Sequence, residues 1–248
     1  MPVRAVVFDL DNTLIFEDES THGALRSAAA LAAARTDAAG VDALAGAAGE
    51  IAAGLWRASP MSAFGDAFGI WWGEALWGEF SGDAAPLRGL AAFVPGFRRA
   101  VWAGALARVG IDDDGLADAM VREYIRARRS RETIDPEAEP LLRTLASRYR
   151  MGLLTNGAGD VQREKLSRTP FARYLAAVII SVEVGVGKPD PQIFRIAAAR
   201  LGIDPGDAVM VGDSLERDVA GAKAAGMRAV WIDRKLWNER ETASPDAR

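Results

Sequence analysis

Residues 6–14 read VVFDLDNTL: the apolar run Val6-Val7-Phe8 gives way to Asp9, Asp11 and Thr13 at every second position. That alternation is the period of an extended chain, whose successive side chains point to opposite faces. It sets two carboxylates and a hydroxyl together at the mouth of a core strand. Two carboxylates that close repel each other unless a cation joins them.

The rest of the chain bounds what that cation serves. The chain has 248 residues, enough for one large domain or one domain with a sizeable insertion. Half the residues are apolar and 26% charged, with a formal net charge of −4. A nucleic-acid binder would carry a concentrated positive field, so no nucleic-acid partner is expected. There is no cysteine, which excludes disulfides, thiolate catalysis and cysteine-ligated metals. The opening MPVRAVVFDL reads as a strand and not as a secretory signal. Alanine-rich stretches such as SAAALAAA (27–34) fall short of the roughly 20 residues that span a bilayer. The expectation is a cytoplasmic protein with no membrane partner.

Two kinds of sequence alternate in the C-terminal half. Short apolar runs predict buried strands at 151–155, 177–181, 208–212 and 229–232, after a first strand at 3–8. Helical patterns lie between them. In DPQIFRIAAARLG (190–202), Asp190 suits the N-cap, Pro191 the first helical position and Gly202 the stop, while Ile193, Phe194, Ala197 and Leu201 repeat at helical spacing. SLERDVAGAKAAGM (214–227) predicts another helix, ending at Gly226, and PEAEPLLRTLASRYR (136–150) a third. Strands alternating with helices imply an α/β fold, a Rossmann-like parallel sheet covered on both faces. Residues 16–133 differ: they show no strand pattern, are rich in Ala and Gly, and hold five of the seven Trp. Phe64, Phe68, Trp71, Trp72, Leu76 and Phe80 fall at helical spacing, with Gly65, Gly69 and Gly73 along one side. The expectation is an all-helical domain at 16–133 inserted into a core of 1–15 and 134–248. REYIRARRSRE (122–132) reads as a solvated basic helix, and ETASPDAR (241–248) as a frayed tail.

Ligands of an open parallel sheet bind beyond the carboxyl ends of its strands. Four polar clusters fall there: Asp9, Asp11 and Thr13; Thr155, Asn156 and Gly157; Lys188 within VEVGVGKPD; and Asp213 with Asp218. Crowded oxygen ligands without His or Cys point to Mg²⁺. Lys188 adds a second positive charge, and the TNG turn offers a hydroxyl and backbone N–H groups. Such a set suits a phosphoryl group, and the opening carboxylates are then joined by metal and lysine.

Taken in order, DLDNT, LLTNG, GKPDP and GDSLERD resemble the four motifs of the haloacid dehalogenase-like (HAD) hydrolase superfamily. The likeness covers roughly 1–15 and 134–234, and the insertion falls where that family carries a helical cap. TNGAGDVQREKL (155–166) and VGKPDPQIF (186–194) look most like the branch of sialic-acid 9-phosphate phosphatases and pyrimidine nucleotidases. The resemblance implies roles. Asp9 would attack phosphorus and form an aspartyl-phosphate. Asp11 would protonate the leaving oxygen and then deprotonate the hydrolytic water. Asp9, the Asp11 carbonyl and Asp213 would hold Mg²⁺, and Asp218 would support the metal or orient Lys188. Thr155, Asn156 and Lys188 would bind phosphoryl oxygens. The cap would close over the site and choose the leaving group. The expected substrate is a small phosphorylated metabolite, and a monomer or a homodimer would both serve.

Three rivals share parts of this pattern. A phosphomutase would keep all four motifs. A dehalogenase would use Asp9 on carbon, but that branch lacks an acid two positions on, where this chain has Asp11. A non-enzymatic phospho-ligand-binding regulator would usually lose a catalytic carboxylate, and none is missing. Outside the motifs, His22, the single histidine, reads as a surface residue. Glu183 and Asp190 read as loop and cap residues.

Overall fold

The computed structural model describes residues 2–35, 40–130, 132–234 and 245–247. In chain order, β1 (Ala5–Phe8) precedes α1 (Glu17–Ala33), α2 (Val41–Arg57), α3 (Ser62–Phe68), α4 (Trp72–Ala75), α5 (Ala85–Ala107) and α6 (Asp114–Ser130). Then follow α7 (Ala138–Ala146), β2 (Arg150–Thr155), α8 (Gly159–Ser167), β3 (Ala177–Ile180), α9 (Ser181–Val184), α10 (Pro191–Arg200), β4 (Ala208–Gly212), α11 (Gly221–Ala224) and β5 (Arg228–Trp231). The chain divides into two compact units, one of residues 1–17, 67–69 and 133–248, the other of 18–66 and 70–132.

The first unit is a five-stranded parallel sheet in the order β3-β2-β1-β4-β5. Parallel strands need crossover connections that cover the faces, so both sides of β1 must be apolar. They are. Ala5 and Val7 pack on one side with Ile193, Phe194 and Ala197 of α10, while Val6 and Phe8 pack on the other with Leu142 of α7 and with Leu166 and Phe171. In α10 the Asp190 carboxylate accepts the Gln192 N–H at 2.8 Å, Pro191 opens the helix, and Gly202 leaves it at φ +65°. The N-cap and stop read from the sequence are the ones found.

Two segments depart from the expected regular helices. Residues 214–227 begin with a wide π-helical turn, Leu215–Ala220, before the α-helical α11. The Val219 N–H reaches back five residues to the Ser214 carbonyl at 3.1 Å. In α7 the helix is shorter than PEAEPLLRTLASRYR implied. At the far edge, Asp246 and Ala247 do not fray: the Asp246 N–H donates to the Ala229 carbonyl and the Trp231 N–H to the Ala247 carbonyl, alongside β5. The remainder of that tail lies outside the described residues.

Among its described residues the second unit consists of helices joined by turns and loops, with no strand. The aromatic stripe at 64–80 is not one helix. Gly69 adopts φ +76°, a left-handed conformation cheap only for glycine, and breaks the stretch into α3 and α4. Gly65 serves close approach: a Cβ there would lie 2.7 Å from the Trp56 ring and 2.6 Å from the Ile70 carbonyl. The basic run also differs from a solvated face. Tyr124 and Arg128 are buried in α6, and the Arg128 guanidinium pairs with Glu132 at 2.9 Å and lies 5.0 Å over the Trp77 ring. Spacing by four residues on one helical face puts Tyr124 and Arg128 in line, and Glu132 meets Arg128 from just beyond the end of α6. His22 is exposed, as read.

Candidate active site

Strand order reverses around β1. The chain runs from β1 outward through β2 to β3, then crosses back to lay β4 on the other flank. The crevice between β1 and β4 is the switch point of the sheet. The Asp9 N–H donates to the Val211 carbonyl at 2.9 Å, so Asp9 leaves β1 beside the end of β4, where Asp213 follows. Among the described residues, Asp9, Asp213 and Asp218 form a cluster whose carboxylate oxygens lie within 4.8 Å of one another.

Lys188 joins this cluster. Its Nζ donates to Asp9 Oδ1 and to Asp218 Oδ1, both at 2.6 Å. Burial works against its charge, but Asp218 and Asp9 more than compensate and hold the ammonium above the ordinary lysine value. Asp9 is raised as well, and here that disfavours the charged form. Burial raises it to about 7, Lys188 pulls it down, and Asp218 and Asp11 push it up. Burial, Asp9 and Asp218 likewise raise Asp213, to about 9. Three crowded carboxylates and one ammonium leave an excess of negative charge in a poorly hydrated place, which is what a hard divalent cation neutralises.

The remaining candidate residues fall into two groups. Asp218 spends one oxygen on Lys188 and the other on the Ser214 N–H at 3.0 Å. The π-helical turn delivers it there, and Gly212 makes room: a Cβ on Gly212 would lie 2.2 Å from Asp218 Oδ2. Such turns recur at functional sites. Asn156 grips the backbone of Lys188, accepting its N–H at 2.8 Å and donating to its carbonyl at 2.9 Å. Its carboxamide is thus bonded to both backbone groups of Lys188. Gly157 turns the chain at φ +142°, with its N–H donating to the Ser181 hydroxyl at 2.9 Å.

Asp11 is turned away from the carboxylate cluster. Its Oδ1 and Oδ2 accept from Lys165 Nζ at 3.0 and 3.1 Å, and Oδ2 also accepts from the Gln162 amide at 3.2 Å. The Gln162 carbonyl oxygen in turn accepts from the Thr155 hydroxyl at 3.3 Å. Sequence reasoning assigned no role to Gln162 or Lys165, because QREKL reads as a solvated helix. A signal was there: Val161 with Lys165 and Gln162 with Leu166 are spaced by four, so two apolar anchors carry both polar residues onto the buried face of α8. Glu183 pairs with Arg163 at 2.7 Å and stays outside the site.

The loop carrying Asp11 is itself held. Asn12 sits at φ +56°, which asparagine tolerates better than most residues. Arg234 donates to the Asn12 and Thr13 carbonyls at 3.0 and 2.7 Å and pairs with Asp135 at 2.6 Å.

Fold and cluster together define an α/β protein with an acidic, lysine-bridged site at the switch point of its sheet. The chain belongs to the haloacid dehalogenase-like hydrolases, whose family model matches residues 3–226. It is 43% identical over 198 residues to the phosphoserine phosphatase of Thermus thermophilus, covering 78% of this chain and 77% of that protein. It is 36% identical over 126 residues to the N-acylneuraminate-9-phosphatase of Rattus norvegicus, covering 50% and 51%. Among solved structures, a 2-haloacid dehalogenase from Pseudomonas syringae aligns with TM-score 0.56 at 29% identity, over 99% of this chain and 93% of that one. The magnesium-bound HAD-hydrolase YfnB of Bacillus subtilis aligns with TM-score 0.66 at 18% identity, over 100% and 94%, a likeness of fold.

Proposed function

We propose that the protein is a Mg²⁺-dependent phosphatase that hydrolyses a small phosphorylated metabolite through an aspartyl-phosphate on Asp9. The observation that carries this reading is the Lys188 ammonium 2.6 Å from both Asp9 and Asp218 at the switch point, with Asp213 in the same cluster. Residues 16–133 are taken as the cap that selects the substrate.

The donor set fits the metal. Asp9, Asp213 and the Asp11 carbonyl would hold Mg²⁺, since Asp218 has both oxygens engaged. Bound there, Mg²⁺ supplies charge neutralisation at the phosphoryl oxygens. Asp9 supplies the nucleophilic oxygen, and Lys188 keeps it aimed and balances charge on the phosphoryl group. The backbone N–H of Asn156 would add a donor to that group, as would the Thr155 hydroxyl on turning from Gln162. Asp11 gives a proton to the leaving oxygen and takes one from the hydrolytic water. Phosphate monoesters are so inert that enzymes reach accelerations of up to ~10²¹, roughly 29 kcal/mol, of which one acid–base residue supplies only about 10²–10⁴. Positioning and fixed charge must supply most of the rest, which suits a site this dense in both.

The identity to a phosphoserine phosphatase makes O-phosphoserine the first substrate to try, followed by sugar-acid phosphates and nucleoside monophosphates. Phosphate release is measured with Mg²⁺ and with EDTA, for wild type and Asp9→Asn. Release that needs Mg²⁺ and vanishes in Asp9→Asn is expected. Equal release in EDTA, or an active Asp9→Asn, would overturn the proposal. Product analysis separates hydrolysis from phosphoryl transfer to a second position of the same molecule.

A further inference from the structure

We infer that Lys165 and Gln162 of α8 are positioning residues for the Asp11 carboxyl, fixing which of its oxygens exchanges the proton. The inference rests on the acid–base role proposed for Asp11. Lys165 is a second buried lysine with no place in the phosphoryl-binding set: its side chain is 0% exposed, and it pairs with Asp11 at 3.0 Å and Glu17 at 3.3 Å. Gln162 is 1% exposed and ties the same carboxyl to Thr155. A polar chain thus runs Thr155–Gln162–Asp11–Lys165–Glu17, from the end of β2 to the start of α1.

The geometry limits what Asp11 can do. A carboxylate has about four acceptor sites, two on each oxygen. Among the described residues, Oδ1 accepts one bond, from Lys165, and Oδ2 accepts two, from Lys165 and Gln162. The site left over lies on Oδ1. Three hydrogen bonds from two side chains also fix the rotation of the carboxyl, so the open site has one direction. A freely rotating carboxyl would aim its proton at the leaving oxygen only part of the time, and positioning to within hydrogen-bond reach is what makes a general acid effective. Burying a lysine for packing alone is costly. A role for it in the geometry of Asp11 explains why it is kept.

The test compares two kinds of ester. An aryl phosphate with a good leaving group needs no proton in the first step, whereas an alkyl phosphate does. In Lys165→Met, kcat/KM for an alkyl phosphate should fall at least about tenfold, a fraction of the 10²–10⁴ a full acid–base residue supplies. For p-nitrophenyl phosphate, kcat/KM should change less than threefold (~3) while kcat and KM fall together, because the water-activating second step still needs Asp11. Gln162→Leu should show the same pattern more weakly, and decides the matter if Lys165→Met fails to fold by circular dichroism. Asp11→Asn in the same assay separates the two claims. If Asp11→Asn does not discriminate between the esters, the acid role fails. If it does discriminate but a folded Lys165→Met or Gln162→Leu loses nothing, or loses both esters equally, the positioning inference is overturned.

Discussion

Lys188→Met is the perturbation whose outcome the geometry fixes most closely. The substitution keeps the approximate length and apolar stem of a side chain that is 3% exposed and removes the ammonium. Asp9 and Asp218 then face each other and Asp213 with no cation between them. Breaking a buried ion pair by removing one partner costs about 3–5 kcal/mol. For a chain of this size each kcal/mol shifts the melting temperature by roughly 2–4 °C. The metal-free variant should therefore melt about 6–20 °C below wild type at pH 8. The loss should shrink at pH 5, because carboxylates already held above their ordinary range take up protons and no longer repel. Circular dichroism melts at both pH values, in EDTA, read this out. An unchanged melting temperature at pH 8, or the same loss at both pH values, would refute the claim that Lys188 holds the cluster together.

Three further outcomes follow from the same structure. Asp9 and Asp213 are raised from an ordinary value of 3.8, Asp213 to about 9, so the folded state binds their protons more tightly than the unfolded chain. Their contribution to stability is full below pH ~4 and is lost as pH rises toward ~9; wild-type melting in EDTA should fall across that window, and Mg²⁺ should flatten the fall. Gly212→Ala places a Cβ 2.2 Å from Asp218 Oδ2, so Asp218 must move; kcat should drop at least about tenfold in a protein that still folds, and an unimpaired variant would mean the approach is not needed. Phe194→Ala empties a fully buried site between α10 and the sheet, and chemical denaturation should show a loss of about 3–5 kcal/mol.

The sheet was legible because a parallel strand covered on both faces must be largely apolar, and each of the five strands holds a run of at least three apolar residues. The candidate site was legible where its residues sit at strand ends: Asp9, Thr155 and Asp213 lie at or just beyond the last residues of β1, β2 and β4. What escaped was whatever depends on a neighbour distant in sequence. Nothing local in QREKL says that Lys165 meets Asp11 across 154 positions. Nothing in TNG says that the Asn156 amide turns toward the Lys188 backbone and not outward. The helix read over 214–227 has ordinary composition, and its π-helical start shows only in the bonding that delivers Asp218. In the aromatic stripe, helical spacing outweighed the glycine at 69, whose left-handed conformation ends α3.

The central claim is that Asp9 carries the phosphoryl group, and one measurement addresses it directly. Wild type is mixed with substrate and Mg²⁺, quenched within the first turnover, and reduced with borohydride, which converts an aspartyl-phosphate to homoserine. Peptide mapping should then find homoserine at position 9 and none in enzyme quenched without substrate. Homoserine at another aspartate, or none at any position while phosphate is being released, would contradict the account.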